Sequence, residues 1–130
     1  MSMKTIGAAA LAAGAILAAV PASAGLMTSN GISVSPTGEG TFHVPYVGLM
    51  GQADYWCSAA DYAMMALNAS QQTRIYRASP VKQPARQGIL FSMNAADSVG
   101  ASGIWGWKDD GSMSVAQAKE MCQVAKLLNR

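Results

Sequence analysis

Hydrophobic and polar positions change their spacing several times along this chain, and each change marks an element. Apolar residues fill positions 6–20 without a charge. After a Gly-, Ser- and Thr-rich stretch, Ile32 and Val34 alternate with Ser33 and Ser35, a weak strand signal. Pro36-Thr37-Gly38-Glu39-Gly40 then reads as a turn. Thr41 to Val47 alternates more clearly, with Phe42, Val44 and Tyr46 on one face and Thr41, His43 and Pro45 on the other. Pro45 has no N–H to give a ladder, so this strand should lie at an edge or end there.

The period then lengthens. Trp56, Ala60, Ala63, Met64 and Leu67 recur at helical spacing, which predicts a helix from an N-cap at Asp54 to about Asn68, with that stripe buried. Gln71 to Ser79 and Gly88 to Met93 read as strands around a Pro-containing loop, an antiparallel hairpin. The second is apolar on both faces, as a central strand would be. Asn94 to Gly111 has no clear period; a short strand around Ile104-Trp105-Gly106-Trp107 fits it. Ser114 and Gln117 form a capping-box pattern that opens a last helix, with Val115, Ala118, Met121, Cys122, Ala125 and Leu128 facing inward. Lys126 and Arg130 suit the negative end of its dipole. The order predicts a small α+β domain, a mainly antiparallel sheet with two helices packed on one face.

The first apolar run belongs to no domain. Lys4 precedes it, Pro21 breaks it, and Ala22-Ser23-Ala24 is the small-x-small pattern of a cleavage site. At 15 residues, Ile6 to Val20 is shorter than the roughly 20 a spanning helix needs. The expectation is a secretory signal peptide over 1–24, removed to leave one exported domain over 25–130, periplasmic or secreted, with no membrane span. Its compact Ala-rich form suits a bacterial leader. Without Lys4 the remaining chain has eight basic and seven acidic side chains. That near-neutral balance gives no field to draw in nucleic acid.

Export changes the meaning of the cysteines. Cys57 and Cys122 meet an oxidising compartment, both on predicted inward faces, so a bridge between the helices is expected. The alternative is an exported thiol enzyme. Cys57 near a helix N-terminus could be a nucleophile, with Gln52 offering an amide to an oxyanion and His43 as base. The segment from Gln52 to Ala60 resembles the nucleophile-bearing helix of papain-like cysteine peptidases. In that family the aromatic residue follows the Cys and the catalytic His lies downstream; here Trp56 precedes Cys57 and His43 lies upstream. One His and two Cys at this spacing match no common zinc pattern, and no cofactor is implied.

Two further groups could recognise a partner. Arg74, Arg77, Lys82 and Arg86 are half of the cations left after the leader and fall on the predicted hairpin. Arg forks suit phosphate or carboxylate, on a small anion, an envelope surface or an acidic protein. A solvated hairpin end that guards an edge strand would look the same. Trp105 and Trp107, two apart, would share one face of a strand and could stack on a sugar, peptide or protein, or fill the core. With no acid–base pair, metal set or phosphate loop, the sequence favours a non-enzymatic binding or accessory domain of unknown ligand.

Overall fold

A computed structural model describes residues 25–48, 50–84, 86–104 and 109–128. The expected signal peptide over 1–24, the Trp105–Trp107 segment and Arg130 therefore lie outside the described residues. The elements are β1 (Leu26–Met27), β2 (Ser33–Gly38), β3 (Thr41–Val44), α1 (Gln52–Met65), β4 (Arg74–Arg77), β5 (Ile89–Ser92), a 3-10 turn (Ala95–Asp97), β6 (Ser112–Ser114) and α2 (Val115–Leu128). The six strands form one antiparallel sheet in the order β1-β2-β3-β5-β4-β6. β5 lies inside it, between β3 and β4, as its apolar run predicts.

Strand alternation decides which face is covered. Val34, Phe42, Val44, Ile75, Phe91 and Met113 are fully buried. They meet Trp56, Ala59, Ala60 and Ala63 of α1 and Val115, Ala118 and Ala125 of α2, all within one core. Phe91 sits between rings, edge-on to Trp56 at 4.9 Å and stacked with Phe42 at 5.8 Å, arrangements that aromatic quadrupoles favour. The other sheet face carries Thr41, His43, Arg74, Tyr76 and Leu90, all part-exposed.

The helices run antiparallel. Cys57 bonds Cys122 with their Cα atoms 4.8 Å apart, and one turn further along α1 Asp61 meets Lys119. The small side chains of α1 make that approach possible. The Ser114–Gln117 capping box forms as predicted: Ser114 N–H donates to Gln117 Oε1 at 2.9 Å and Gln117 N–H to Ser114 Oγ at 3.1 Å.

Several expected boundaries shift. The N-cap of α1 is Gly51, not Asp54; Asp54 stands inside the first turn and its carboxylate accepts the Gly51 N–H at 2.9 Å. The helix ends at Met65. Asn68 takes the left-handed conformation, φ 55°, and the Ala69 N–H reaches back to Ala63 O, so one of the last carbonyls of the helix is satisfied. Leu67 is thus outside the helix and exposed, and Met64 is half-buried. Leu128 is 73% exposed because it is the last residue of α2, beyond the sheet-facing stripe. β3 stops at Val44, before Pro45, and β4 is shorter than predicted. β2 continues through Pro36, where β1 no longer pairs with it and an edge tolerates a residue without N–H.

Candidate functional site

The site grows from the end of β4. Alternation puts Ile75 and Arg77 on the helix-covered face and Arg74 and Tyr76 on the other. The Arg pair of the sequence is therefore divided by the sheet. Arg74 points to the face opposite Arg77, where Ser112 Oγ accepts from its Nη2 at 2.6 Å, Gln117 Oε1 at the start of α2 accepts from Nη1 at 3.4 Å, and Asp110 lies 3.9 Å away. Lys82 is exposed in the loop between β4 and β5.

Arg77 is 1% exposed. Its Nε donates to Ser79 O at 2.9 Å, Nη1 to Gln52 Oε1 at 2.7 Å and Ser102 O at 3.4 Å, and Nη2 to Pro80 O at 3.1 Å. Every acceptor is a neutral oxygen. Among the described residues the ion pairs are those of Arg74 and Lys119, so no carboxylate touches this guanidinium. Burial pulls it below its ordinary pKa, while the nearby Tyr55 and Asp109 oppose that. Asp109 is linked to Arg77 through one residue, Ser102. Its carboxylate accepts the Ser102 N–H at 2.7 Å, and the Ser102 carbonyl takes both Arg77 and the Trp56 indole N–H, the latter at 3.0 Å.

A cavity of about 240 Å³ opens beside Arg77. Gln52, Tyr55, Tyr46, Gln83, Arg86 and Gln87 supply its polar lining, and Met50, Val81, Pro84 and Ile89 an apolar wall. No acidic residue lines it. Gln52 and Tyr55 reach it together because they lie three apart at the start of α1. Tyr55 is 6% exposed, and its hydroxyl has no hydrogen-bond partner among the described residues. Burial raises its phenol above the ordinary value, Tyr46 adds to this and Arg77 opposes it, so the group is protonated at neutral pH.

Two glycines let the backbone close around these side chains. Gly88, at φ 73°, has Val44 O and the His43 ring where a Cβ would stand, at 2.5 Å and 2.7 Å. Gly103, at φ 87°, has Gln52 Oε1 at 2.6 Å and Arg77 Nη1 at 3.0 Å in that place. L side chains disfavour both conformations.

The other candidates fall elsewhere. Cys57 is joined to Cys122, so it carries no thiol. His43 is on the helix-free sheet face, with Nε2 3.0 Å from Gln87 O. The sheet separates it from Cys57, and Gln52 is engaged with Arg77. A larger cavity, about 500 Å³, lies over the disulfide. Its Lys119 is held by Asp61 and its Asn30 by Thr28 and Ser58. Among the described residues no cluster of His, Cys, Asp and Glu could hold a metal, and no helix is long and apolar enough to cross a membrane.

Sequence reasoning missed Tyr46, Tyr55, Ser102 and Asp109. The signal for Tyr55 was its i, i+3 spacing from Gln52; that for the inward turn of Arg77 was its period-two relation to Ile75. The Ser102–Asp109 contact spans an irregular loop and leaves no periodic trace. No family model, curated protein or solved structure matches the chain.

Proposed function

We propose that this is an exported, disulfide-held binding domain, without catalytic activity, whose cavity beside Arg77 receives an anionic group. The observation that carries the reading is a fully buried guanidinium with neutral partners alone, facing a cavity that holds a second Arg and no acid. A buried charge is costly unless opposite charge or many dipoles answer it. Here the dipoles come from the protein and the opposite charge would come from a ligand. The exposed Arg86 at the rim would add attraction on approach. The leader pattern and the disulfide both support export, since such bonds persist in oxidising compartments. An accessory role fits because the cavity brings together donors for binding but no nucleophile–base pair.

The reading is tested by thermal unfolding at low ionic strength with sodium acetate, phosphate or sulfate added singly. At least one anion should raise the midpoint of the wild type, and the rise should shrink in Arg86→Gln, whose exposed side chain is not needed for the fold. Equal midpoints with and without every anion would overturn it.

A further inference from the structure

We infer that the anion this cavity takes is a carboxylate on a small apolar body, the chemistry shared by a short free acid and by the last residue of a peptide. The inference rests on the anion-binding reading and narrows it.

The first argument is the number of donors left on Arg77. A guanidinium has five N–H groups. Four are directed at Ser79, Gln52, Ser102 and Pro80, which leaves one, on Nη2. The two-pronged fork by which Arg grips a phosphate or a carboxylate is thus occupied by the protein's own oxygens, so the choice between those anions rests on the neutral donors and the wall. The remaining contact is single-pronged.

The second argument is the pair of neutral donors beside it. Arg77 fixes Gln52 Oε1, so the other end of that amide, Nε2, is also fixed, and it has no partner among the described residues. The Tyr55 hydroxyl has none either among the described residues, and it is open to the cavity rather than sealed in the core. The last Arg77 N–H, the Gln52 amide and the Tyr55 hydroxyl together can meet the two oxygens and single charge of a carboxylate, with the Tyr46 hydroxyl and the Gln87 amide further out in the lining. A phosphate would bring three oxygens and a second charge, for which Arg86, exposed at the rim, is the one further cation lining the cavity.

The third argument is the wall. Met50, Val81, Pro84 and Ile89 give apolar contact that acetate or phosphate cannot use. At about 240 Å³ the space is below the roughly 300 Å³ where pockets for drug-sized ligands begin, so one side-chain-sized group fills it.

Calorimetric titration of the oxidised protein at low ionic strength tests this with four probes: 4-methylpentanoate, N-acetyl-leucine, N-acetyl-leucinamide and inorganic phosphate. At least one carboxylate should bind about tenfold or more tighter than the amide and phosphate, as loss of a charge-assisted bond predicts. Preference for N-acetyl-leucine assigns the source as a peptide end; equal or tighter binding of 4-methylpentanoate assigns it as a free acid. Tyr55→Phe keeps the packed ring and should weaken the carboxylate about fivefold or more; unchanged affinity overturns the proposed geometry. Phosphate binding as tightly as the carboxylates, or the amide binding as tightly as the acid, overturns the carboxylate inference. In the phosphate case the anion reading survives. Absence of binding by all four probes, together with no anion-induced thermal shift, overturns both.

Discussion

Arg77 Nη1 lies 2.7 Å from Gln52 Oε1, so the end of the central hairpin strand is tied to the first residue of α1. The same guanidinium holds carbonyls of Ser79, Pro80 and Ser102, which makes it the joint of two loops as well as the charge of the cavity. Replacing it with Met keeps much of the volume and removes every donor. The carbonyls it served would then be without that partner, so Arg77→Met should cost about 2–4 kcal/mol. Arg77→Lys keeps the charge but has no fork to reach oxygens on both sides, and should fall between. Urea unfolding curves measure both. A Met variant within about 0.5 kcal/mol of wild type would show that the loops hold themselves.

Gly103 is the point where the second loop presses on that joint. Gly103→Ala sets a Cβ 2.6 Å from Gln52 Oε1 at a backbone angle that L residues avoid. The expected loss is about 1–3 kcal/mol. Gly48→Ala is the control, since nothing lies within 4 Å of its added Cβ and its φ is unremarkable. It should unfold at the wild-type urea concentration. Equal behaviour of the two variants would show that the Ser102–Ile104 loop is not packed against Arg77.

The disulfide joins residues 65 positions apart, which limits the freedom of most of the unfolded domain. The chain-entropy account gives about 4 kcal/mol for such a loop. Cys57→Ala with Cys122→Ala should therefore lose roughly that much unfolding free energy and unfold at a lower urea concentration, with the fold retained where stability permits. Circular dichroism melts of oxidised, reduced and doubly substituted protein measure it. Reduced and oxidised protein melting together would show that helix packing alone holds α1 to α2.

Ser114 shows how local chemistry was legible. Its capping box with Gln117 was readable from two residue types three apart, and it forms as read. Ser114→Ala should cost about 1 kcal/mol, seen as a matching fall in the urea midpoint. The central place of β5 and the helix-to-helix bond were also readable, because an apolar run and two inward cysteines carry a direct signal. β1 and β6 were not, since strands of two and three residues have no room for a period. The cavity was legible only in part. Its Arg77 and Arg86 stood in a basic cluster, but strand alternation sends Arg74 to the opposite face. The partners of Arg77 come from Ser79, Pro80 and Ser102 carbonyls, which every residue possesses and no composition reveals.

Asp61 and Lys119 give the sharpest dependence on pH. Asp61 is 1% exposed; Lys119 Nζ lies 2.5 Å from its Oδ1, and Ser29 donates to Oδ2 through N–H and hydroxyl. Burial alone would raise the Asp61 carboxyl, but the bonds from Lys119 and Ser29 outweigh it and hold the group below its ordinary value. A carboxyl lowered in the folded state stabilises the fold above the unfolded value of about 3.9, and that gain is lost as pH falls through the folded value. In Lys119→Met the bond and the charge of Lys119 are both lost, burial is opposed by Ser29 alone, and the Asp61 carboxyl rises from its wild-type position, so the variant loses less stability on acidification than the wild type. The deficit of Lys119→Met should be about 2–4 kcal/mol at pH 7 and should narrow steadily toward pH 3. Asp61→Asn leaves a half-exposed Lys119 that water can take up, so its deficit should be smaller at pH 7. Urea unfolding of the three proteins at pH 7, 5, 4 and 3 gives the comparison. A Lys119→Met deficit that stays constant over that range would mean that Lys119 supports the helix pair through its alkyl packing rather than through the Asp61 charge.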